Sequence, residues 1–485
     1  MSTATTSKEQ ARENVIKRCR ENDIVIPTFE QLRNPEQIPE DIKEKLKDID
    51  MQEVHPLNLF RINWHNDPET GGFGDVNRFE IPRELTGLDT RIVGIVGKHF
   101  PIGAHKVGAA FGCLVPRLVN GQFDPDNQKA IWPSTGNYCR GGAFDSTLLA
   151  CTPVAIMPEG MSQERFDWLN EIGAEVIKTP GTEANVKEIY DKCNELQDDP
   201  NENVVIFNQF DEFGNSCWHY NTTGPALEEV FQDIRKSDQQ LSAWCAGTGS
   251  AGTIAAGDYL KEQHPNMKIV AAEAKQVPTM LRSGFGEHRI EGIGDKHIPW
   301  IHNVRNTDTV TGIDDEACMR LLRLFNEPAG HEFLIEQGVP EKDVKRLPLL
   351  GISCIANVLS AVKTAKYYEM DERDVVVTVY TDSSELYQSR LKELREKYGE
   401  YSKEEARVDW ERYLLGESKE EVLDCGYYDK KRIHNQKYFT WVEQQGKSAD
   451  ELRELWDPDF WDRTYSQIDR WDEQIEELNK EAGVI

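Results

Sequence analysis

Positive charge is scarce in this 485-residue chain: 56 Lys and Arg face 85 Asp and Glu, a formal net charge of −29. A surface this acidic repels phosphate backbones and lipid headgroups, so neither nucleic acid nor a membrane is expected as a partner. Long hydrophobic runs are missing, and none approaches the roughly 18 residues that span a bilayer. The N-terminus Met1-Ser2-Thr3-Ala4-Thr5-Thr6 has no basic stretch leading into an apolar one, so no signal peptide is expected. The ten cysteines form no C-x-x-C pair, and most sit in apolar stretches such as Ala110-Phe111-Gly112-Cys113-Leu114. That pattern points to reduced thiols in a cytoplasmic protein, with no disulfide framework and no metal site. No internal repeat or low-complexity tract is present.

The length is ample for a large core. Three zones follow one another. Residues 1–85 are polar and aperiodic, and read as an extension that wraps a core or as a partly disordered arm. Residues 86–395 alternate short apolar runs with amphipathic patterns. Strands are predicted at Arg91–Val96, Val154–Met157, Glu175–Thr179, Val204–Phe207, Leu241–Ala246, Lys268–Ala272 and Val375–Tyr380, and the run Ala130-Ile131-Trp132 is a further short one. Helical spacing falls between them, at Ser162–Ile172, Glu183–Leu196 and Gly252–Gln263, with Ser162 and Glu164 offering a capped start to the first. Strands alternating with helices predict α/β architecture with parallel sheets covered on both faces. Residues 396–485 are acidic yet hold five of the eleven tryptophans, Trp410, Trp441, Trp456, Trp461 and Trp471. Disordered segments are poor in aromatics, so this tail is predicted to be helical and docked, on its own core or on another subunit.

In parallel α/β folds, ligands bind where strands end and helices begin. Four such turns carry chemistry-bearing residues. In Pro101-Ile102-Gly103-Ala104-His105-Lys106 a lysine opens an apolar helix. Burial and the positive helix terminus both lower the pKa of such an amine, which suits a nucleophile; a snorkelling lysine is the plainer alternative. Ser134-Thr135-Gly136-Asn137 offers N–H groups and hydroxyls for a carboxylate, or an ordinary cap. Ala246-Gly247-Thr248-Gly249-Ser250-Ala251-Gly252-Thr253 can cradle a phosphate, and is neither a Walker A loop nor G-x-G-x-x-G. Thr381-Asp382-Ser383-Ser384 reads alone as a cap.

In this order and spacing the loops resemble those of fold-type II pyridoxal-phosphate (PLP) enzymes, especially the cysteine synthase and cystathionine β-synthase branch. Lys106 stands 31 residues before Asn137, as the Schiff-base lysine precedes the asparagine loop there. Gln209 in Asn208-Gln209-Phe210, Thr222-Thr223-Gly224-Pro225, Ile290-Glu291-Gly292-Ile293-Gly294, Gly351-Ile352-Ser353 and Asp382-Ser383 match further family segments. Gly103-Ala104-His105-Lys106 is closer to the tryptophan synthase β branch. The resemblance spans about residues 86–395. It implies two doubly wound parallel-sheet domains, 86–215 with the lysine and substrate loop and 216–395 with the phosphate loop, flanked by the extensions 1–85 and 396–485.

The resemblance also implies roles. Lys106 would hold pyridoxal 5′-phosphate as a Schiff base and then act as the base at the substrate α-carbon. Asn137 would bond the ring hydroxyl. Gly247, Thr248, Gly249 and Thr253, with Ser250 and Gly252, would hold the phosphate. Ser134, Thr135, Gly136 and Gln209 would hold the substrate carboxylate. Ser383 would face the pyridine nitrogen, and a serine there favours chemistry at the β-carbon over transamination. The implied reaction is β-replacement or β-elimination on a serine- or cysteine-type amino acid through an aminoacrylate, in a homodimer. A threonine dehydratase or tryptophan synthase β type reaction is the first alternative, and a noncatalytic PLP-fold binding protein the second. The phosphate loop is one residue longer than the family's usual form, and Asn326–Leu349 reads as an insertion. Arg140 could reach an anionic substrate group or form a surface salt bridge. Cys139 is expected to be an inert buried thiol, and His105 and His219 packed or capping histidines.

Overall fold

The β-branched runs assemble into two sheets in the computed structural model, which describes residues 7–134, 136–181, 186–294 and 296–485. In chain order the strands are β1 Arg78–Ile81, β2 Arg91–Val96, β3 Lys129–Pro133, β4 Thr152–Pro158, β5 Glu175–Thr179, β6 Val204–Ile206, β7 Gln240–Gly247, β8 Lys268–Ala274, β9 Thr309–Ile313, β10 Asp374–Tyr380 and β11 Val422–Asp424. The smaller sheet runs β5-β4-β3-β6 and the larger β1-β2-β10-β7-β8-β9-β11. Every pairing in the smaller sheet is parallel. The larger is parallel through its centre, with β1 and β11 antiparallel at its edges. Helices cover both faces, so central strands such as β8 and β10 are almost wholly buried and carry Val, Ile and Ala on both sides.

The predicted strands are all present, and β9 and the edge strands β1 and β11 add to them. Strand β2 precedes the smaller sheet in the chain yet pairs with β10, Arg91 opposite Val375. The larger sheet therefore crosses the line drawn at residues 215 and 216. The helix start at Ser162 differs from expectation: its side chain makes no capping bond, and Glu164 accepts from Ser389 N–H and Oγ, both at 2.7 Å. The segment 326–349 contains two helices, Pro328–Glu336 and Glu341–Val344.

The helix Lys106–Val119 packs among other helices, and its Val107, Phe111, Leu114, Val115 and Leu118 are buried. Each such side chain stabilises the fold by roughly 1.5–3 kcal/mol. It packs tightly on the helix Phe213–Trp218 through two glycines. A Cβ on Gly112 would lie 2.3 Å from the Gly214 carbonyl, and one on Gly214 2.0 Å from that of Gly112. Any side chain at either position would push the two helices apart, and both helices bear on the site described below.

The two extensions bind each other as well as the core. The helix Lys8–Glu21 lies against Gln467–Ala482, with Arg12 bonding Glu481 at 2.6 Å. That exposed pair contributes little, about 0–1 kcal/mol. The buried Asn479 amide does more: it accepts from Ile26 N–H at 3.1 Å and donates to the Ile26 carbonyl at 2.8 Å. The acidic tail folds into helices, including Lys403–Trp410, Tyr427–Lys437 and Pro458–Tyr465. Its indoles anchor it: Trp410 donates to Leu85 O and Trp441 to Ile298 O, both at 2.8 Å. Among the described residues, no helix is long and apolar enough to cross a membrane.

Candidate active site

The turns singled out in the sequence converge on one cleft at the N-terminus of the Lys106–Val119 helix. Lys106, Ser134, Gly136, Asn137, Gln209 and Ser250 line it, and it continues into a recess bounded by Gly247, Gly249, Ser250 and Thr253. Strain marks the approach to the lysine. Ile102 has φ 64° and Gly103 φ 68°; a β-branched residue rarely takes that left-handed conformation. The Ile102 carbonyl is held there by Arg140 Nη2 at 3.0 Å.

Lys106 Nζ donates to Gln209 Oε1 and to Ser250 Oγ, each at 3.1 Å. Gln209 Nε2 donates to Ser134 Oγ at 3.1 Å, and the same oxygen accepts from Gly136 N–H at 3.2 Å. Asn215, on the Phe213–Trp218 helix, fixes this set by donating to the Gln209 carbonyl at 3.0 Å and Ser250 Oγ at 2.9 Å. Four sequence-distant segments, those of Lys106, Ser134, Gln209 and Ser250, are therefore linked side chain to side chain. Thr135 lies outside the described residues.

Asn137 Nδ2 donates to Asp382 Oδ2 at 2.7 Å, and Tyr387 OH donates to the same oxygen at 2.7 Å. Burial pushes the Asp382 carboxyl upward, against those two bonds. Behind it Arg165 bonds Tyr387 OH at 3.0 Å and pairs with Glu291, and Glu291 also accepts from Arg390 Nε at 2.6 Å. Arg140 is buried, stacked 4.7 Å over the Trp168 ring, and donates to Asn137 Oδ1 at 3.2 Å. It thus makes no surface salt bridge and orients the asparagine instead. Burial, then the Arg165 charge, brings its pKa down to about 10, still cationic at neutral pH.

The other predicted residues sort by where they face. Ser353 and Thr381 hydroxyls line the cleft and bond each other at 2.8 Å. Ser383 is buried one turn away, at the start of the segment Ser384–Tyr387. Thr248 Oγ1 is turned to the Ala272 carbonyl at 3.0 Å, and Gly252 packs on Asn215, where a Cβ would fall 2.0 Å from Oδ1. His105 is buried on the Thr381 carbonyl at 3.2 Å and stacked on Trp64. Burial and the neighbouring Lys106 charge take its pKa down to about 3, so it is neutral. His219 is lowered likewise, mainly by burial. Cys139 is buried with its thiol pushed up to about 12 by burial, and all ten cysteines are free and buried. Asp382, Asn215 and the Arg165–Glu291–Arg390 set escaped sequence reasoning. Only Glu291 and Asp382 sat in segments that resembled family motifs.

The family pattern of pyridoxal-phosphate dependent enzymes matches residues 98–332. A cysteine synthase from Staphylococcus aureus is 32% identical over 290 residues, covering 60% of this chain and 84% of that protein. The chain belongs to the family of pyridoxal-phosphate-dependent enzymes. Cystathionine beta-synthase of Saccharomyces cerevisiae is 25% identical over 320 residues, covering 64% of this enzyme and 59% of that one. Among solved structures, a hydrogen sulfide-producing enzyme from Fusobacterium nucleatum superposes with a TM-score of 0.54 at 25% identity, covering 64% of this chain and 95% of that one. The family match leaves both extensions outside.

The donor set fits the cofactor. Among the described residues, none of the backbone N–H groups from Gly249 to Thr253 donates to a protein acceptor, and they border the recess beside Lys106. Unpaired N–H groups at a helix start form a nest for a phosphate. An amine, a nest and hydroxyl acceptors in one cleft are what pyridoxal phosphate requires.

Proposed function

We propose that this enzyme performs β-replacement on a serine-type amino acid, exchanging a leaving group on the β-carbon for a nucleophile such as a thiol. Relatives named cysteine synthase support the reaction class. One observation carries the assignment of roles: Lys106 Nζ sits between Gln209 Oε1 and Ser250 Oγ at 3.1 Å from each. The amine thereby faces the loop proposed to hold the substrate on one side and the loop proposed to hold phosphate on the other.

Gly247, Gly249, Ser250 and Thr253 would hold the phosphate, with Thr248 and Gly252 shaping the loop from behind. Asn137, fixed by Asp382 and Arg140, would bond the ring, and the hydroxyls of Thr381 and Ser353, which line the cleft, would face the ring nitrogen, with the buried Ser383 close to Thr381 in the chain. Bound there, the cofactor supplies an electron-withdrawing ring that acidifies the α-carbon of an amino acid. Lys106 would then remove and return the α-proton. Ser134, Thr135, Gly136 and Gln209 would hold the carboxylate, which keeps the α-carbon over the amine. The neutral His105 adds no second positive charge beside Lys106.

We also read the chain as two α/β units, 86–215 and 216–395, with β2 of the first completing the sheet of the second, and with extensions at both ends, acting as a cytoplasmic homodimer. Ten buried free thiols support a reducing compartment. Incubating the purified enzyme with O-acetylserine and sulfide tests the reaction: cysteine formed without pyruvate supports replacement, and pyruvate with ammonia would make elimination the reaction.

A further inference from the structure

The C-terminal extension reaches the cleft through a continuous series of contacts. Lys437 is fully buried and donates to the carbonyls of Trp300 and His302, both at 2.8 Å. Trp441, also fully buried, donates to the Ile298 carbonyl at 2.8 Å. Three tail bonds thus fix residues 298–302. That segment in turn fixes the loop after β6: Ile301 N–H donates to the Phe210 carbonyl at 3.3 Å, and the His297 ring packs on Phe210 with centroids 4.9 Å apart. His297 touches Trp441 at 5.6 Å. Tyr190, from the helix Val186–Asp198 beside the smaller sheet, lies 6.3 Å from both Phe210 and Trp441. A second link lies nearer the surface, where Lys447 pairs with Asp211 at 2.9 Å. Phe210 lines the cleft, and the residue before it is Gln209.

A loop amide that accepts from Lys106 and donates to Ser134 needs its backbone fixed to a fraction of an ångström, and loops are the least rigid part of a fold. Burying a lysine amine is costly, and burial holds the Lys437 pKa well below the ordinary value; the two carbonyls that accept from it belong to the segment behind Phe210. The family pattern ends at residue 332, so a protein limited to the matched region would lack these residues.

We propose that the C-terminal extension is a strap that positions Gln209 for the amino-acid substrate, with Trp441 and Lys447 as positioning residues acting through Phe210 and Asp211. Its substrate aspect rests on the reaction proposed above; its mechanical aspect does not. The test uses the full-length, cofactor-loaded enzyme and two variants, Trp441→Phe and Lys447→Ala, the latter at a partly exposed side chain outside the core. Hydrogen exchange over 207–211 is expected to be at least threefold faster in each, with KM for the amino acid raised about tenfold and cofactor retention unchanged. Faster exchange confined to 437–447, with 207–211 protected as in the unaltered enzyme and KM unmoved, would overturn the proposal. Exchange is read without turnover. An enzyme whose loop loosens as expected but which converts no β-substituted amino acid keeps the strap and loses the proposed reaction.

Discussion

Lys106 and Gln209 lie 103 positions apart in the chain and meet at 3.1 Å. The lysine begins a helix on one side of the cleft, and the glutamine follows a strand of the smaller sheet on the other. Their contact brings the amine proposed to move a proton against the amide proposed to hold the substrate.

Replacing the amine tests the first role. Lys106→Ala is expected to lose the visible absorption band of the cofactor-loaded enzyme and to lower turnover by about a thousandfold or more. Its far-UV circular dichroism should not change. A variant that keeps both the band and the turnover would remove Lys106 from the chemistry.

The substrate side is tested separately. On the proposed roles, Gln209→Ala and Ser134→Ala would each remove one hydrogen bond to the substrate carboxylate, an interaction of about 1.5–3 kcal/mol. A loss of roughly 10- to 100-fold in kcat/KM is expected, with cofactor retained. Steady-state kinetics beside an absorbance assay of bound cofactor checks this, and cofactor loss at constant kcat/KM would reassign both residues.

The wall behind the cleft depends on Glu291, which joins two cations, Arg165 and Arg390. Removing one partner from a buried ion set strands the rest, at a cost of about 3–5 kcal/mol. Glu291→Ala is therefore expected to lower the urea midpoint by a matching amount. A shift equivalent to less than 1 kcal/mol would mean that water screens the set.

Stability should also carry a pH signature from Glu273. Its carboxylate accepts from Met280 and Leu281 N–H at 2.8 and 2.9 Å, yet burial raises its pKa from 4.5 to about 7. Between those values the folded chain holds a proton that the unfolded chain has lost, so this contribution to stability falls as pH rises through the window. The span amounts to about 3 kcal/mol at most. Glu273→Gln, uncharged throughout, should gain on the unaltered protein from pH 5 to pH 8 in urea titrations. A constant gap across that range would contradict the assignment.

Much of this architecture is written in local pattern. Strands β2 and β5 have the residue bounds that their β-branched runs suggest, because each ends at Gly or Pro, although β2 is buried and β5 is a half-exposed edge strand. The edge strand β11 was illegible: Val422–Asp424 pairs on one side only and shows no alternation. Loops holding Lys106, Gly249 and Gln209 stood out by residue type, but Asp382 looked like a helix cap, since nothing local reveals that Asn137 and Tyr387 close on it. Arg140 misled in the other direction. An arginine beside a substrate loop suggests solvent or an anion, whereas stacking on Trp168 and two hydrogen bonds compensate its burial. The tail's tryptophans foretold docking, but the partners they found, Leu85 and Ile298, depend on packing across hundreds of positions.

The central claim is tested most directly by visible absorption of the cofactor-loaded enzyme, titrated first with β-substituted L-amino acids and then with a thiol. The account predicts that a serine-type amino acid shifts the band, that a thiol restores it with release of a new β-substituted amino acid, and that Lys106→Ala shows neither change. A band that no β-substituted amino acid shifts would contradict it.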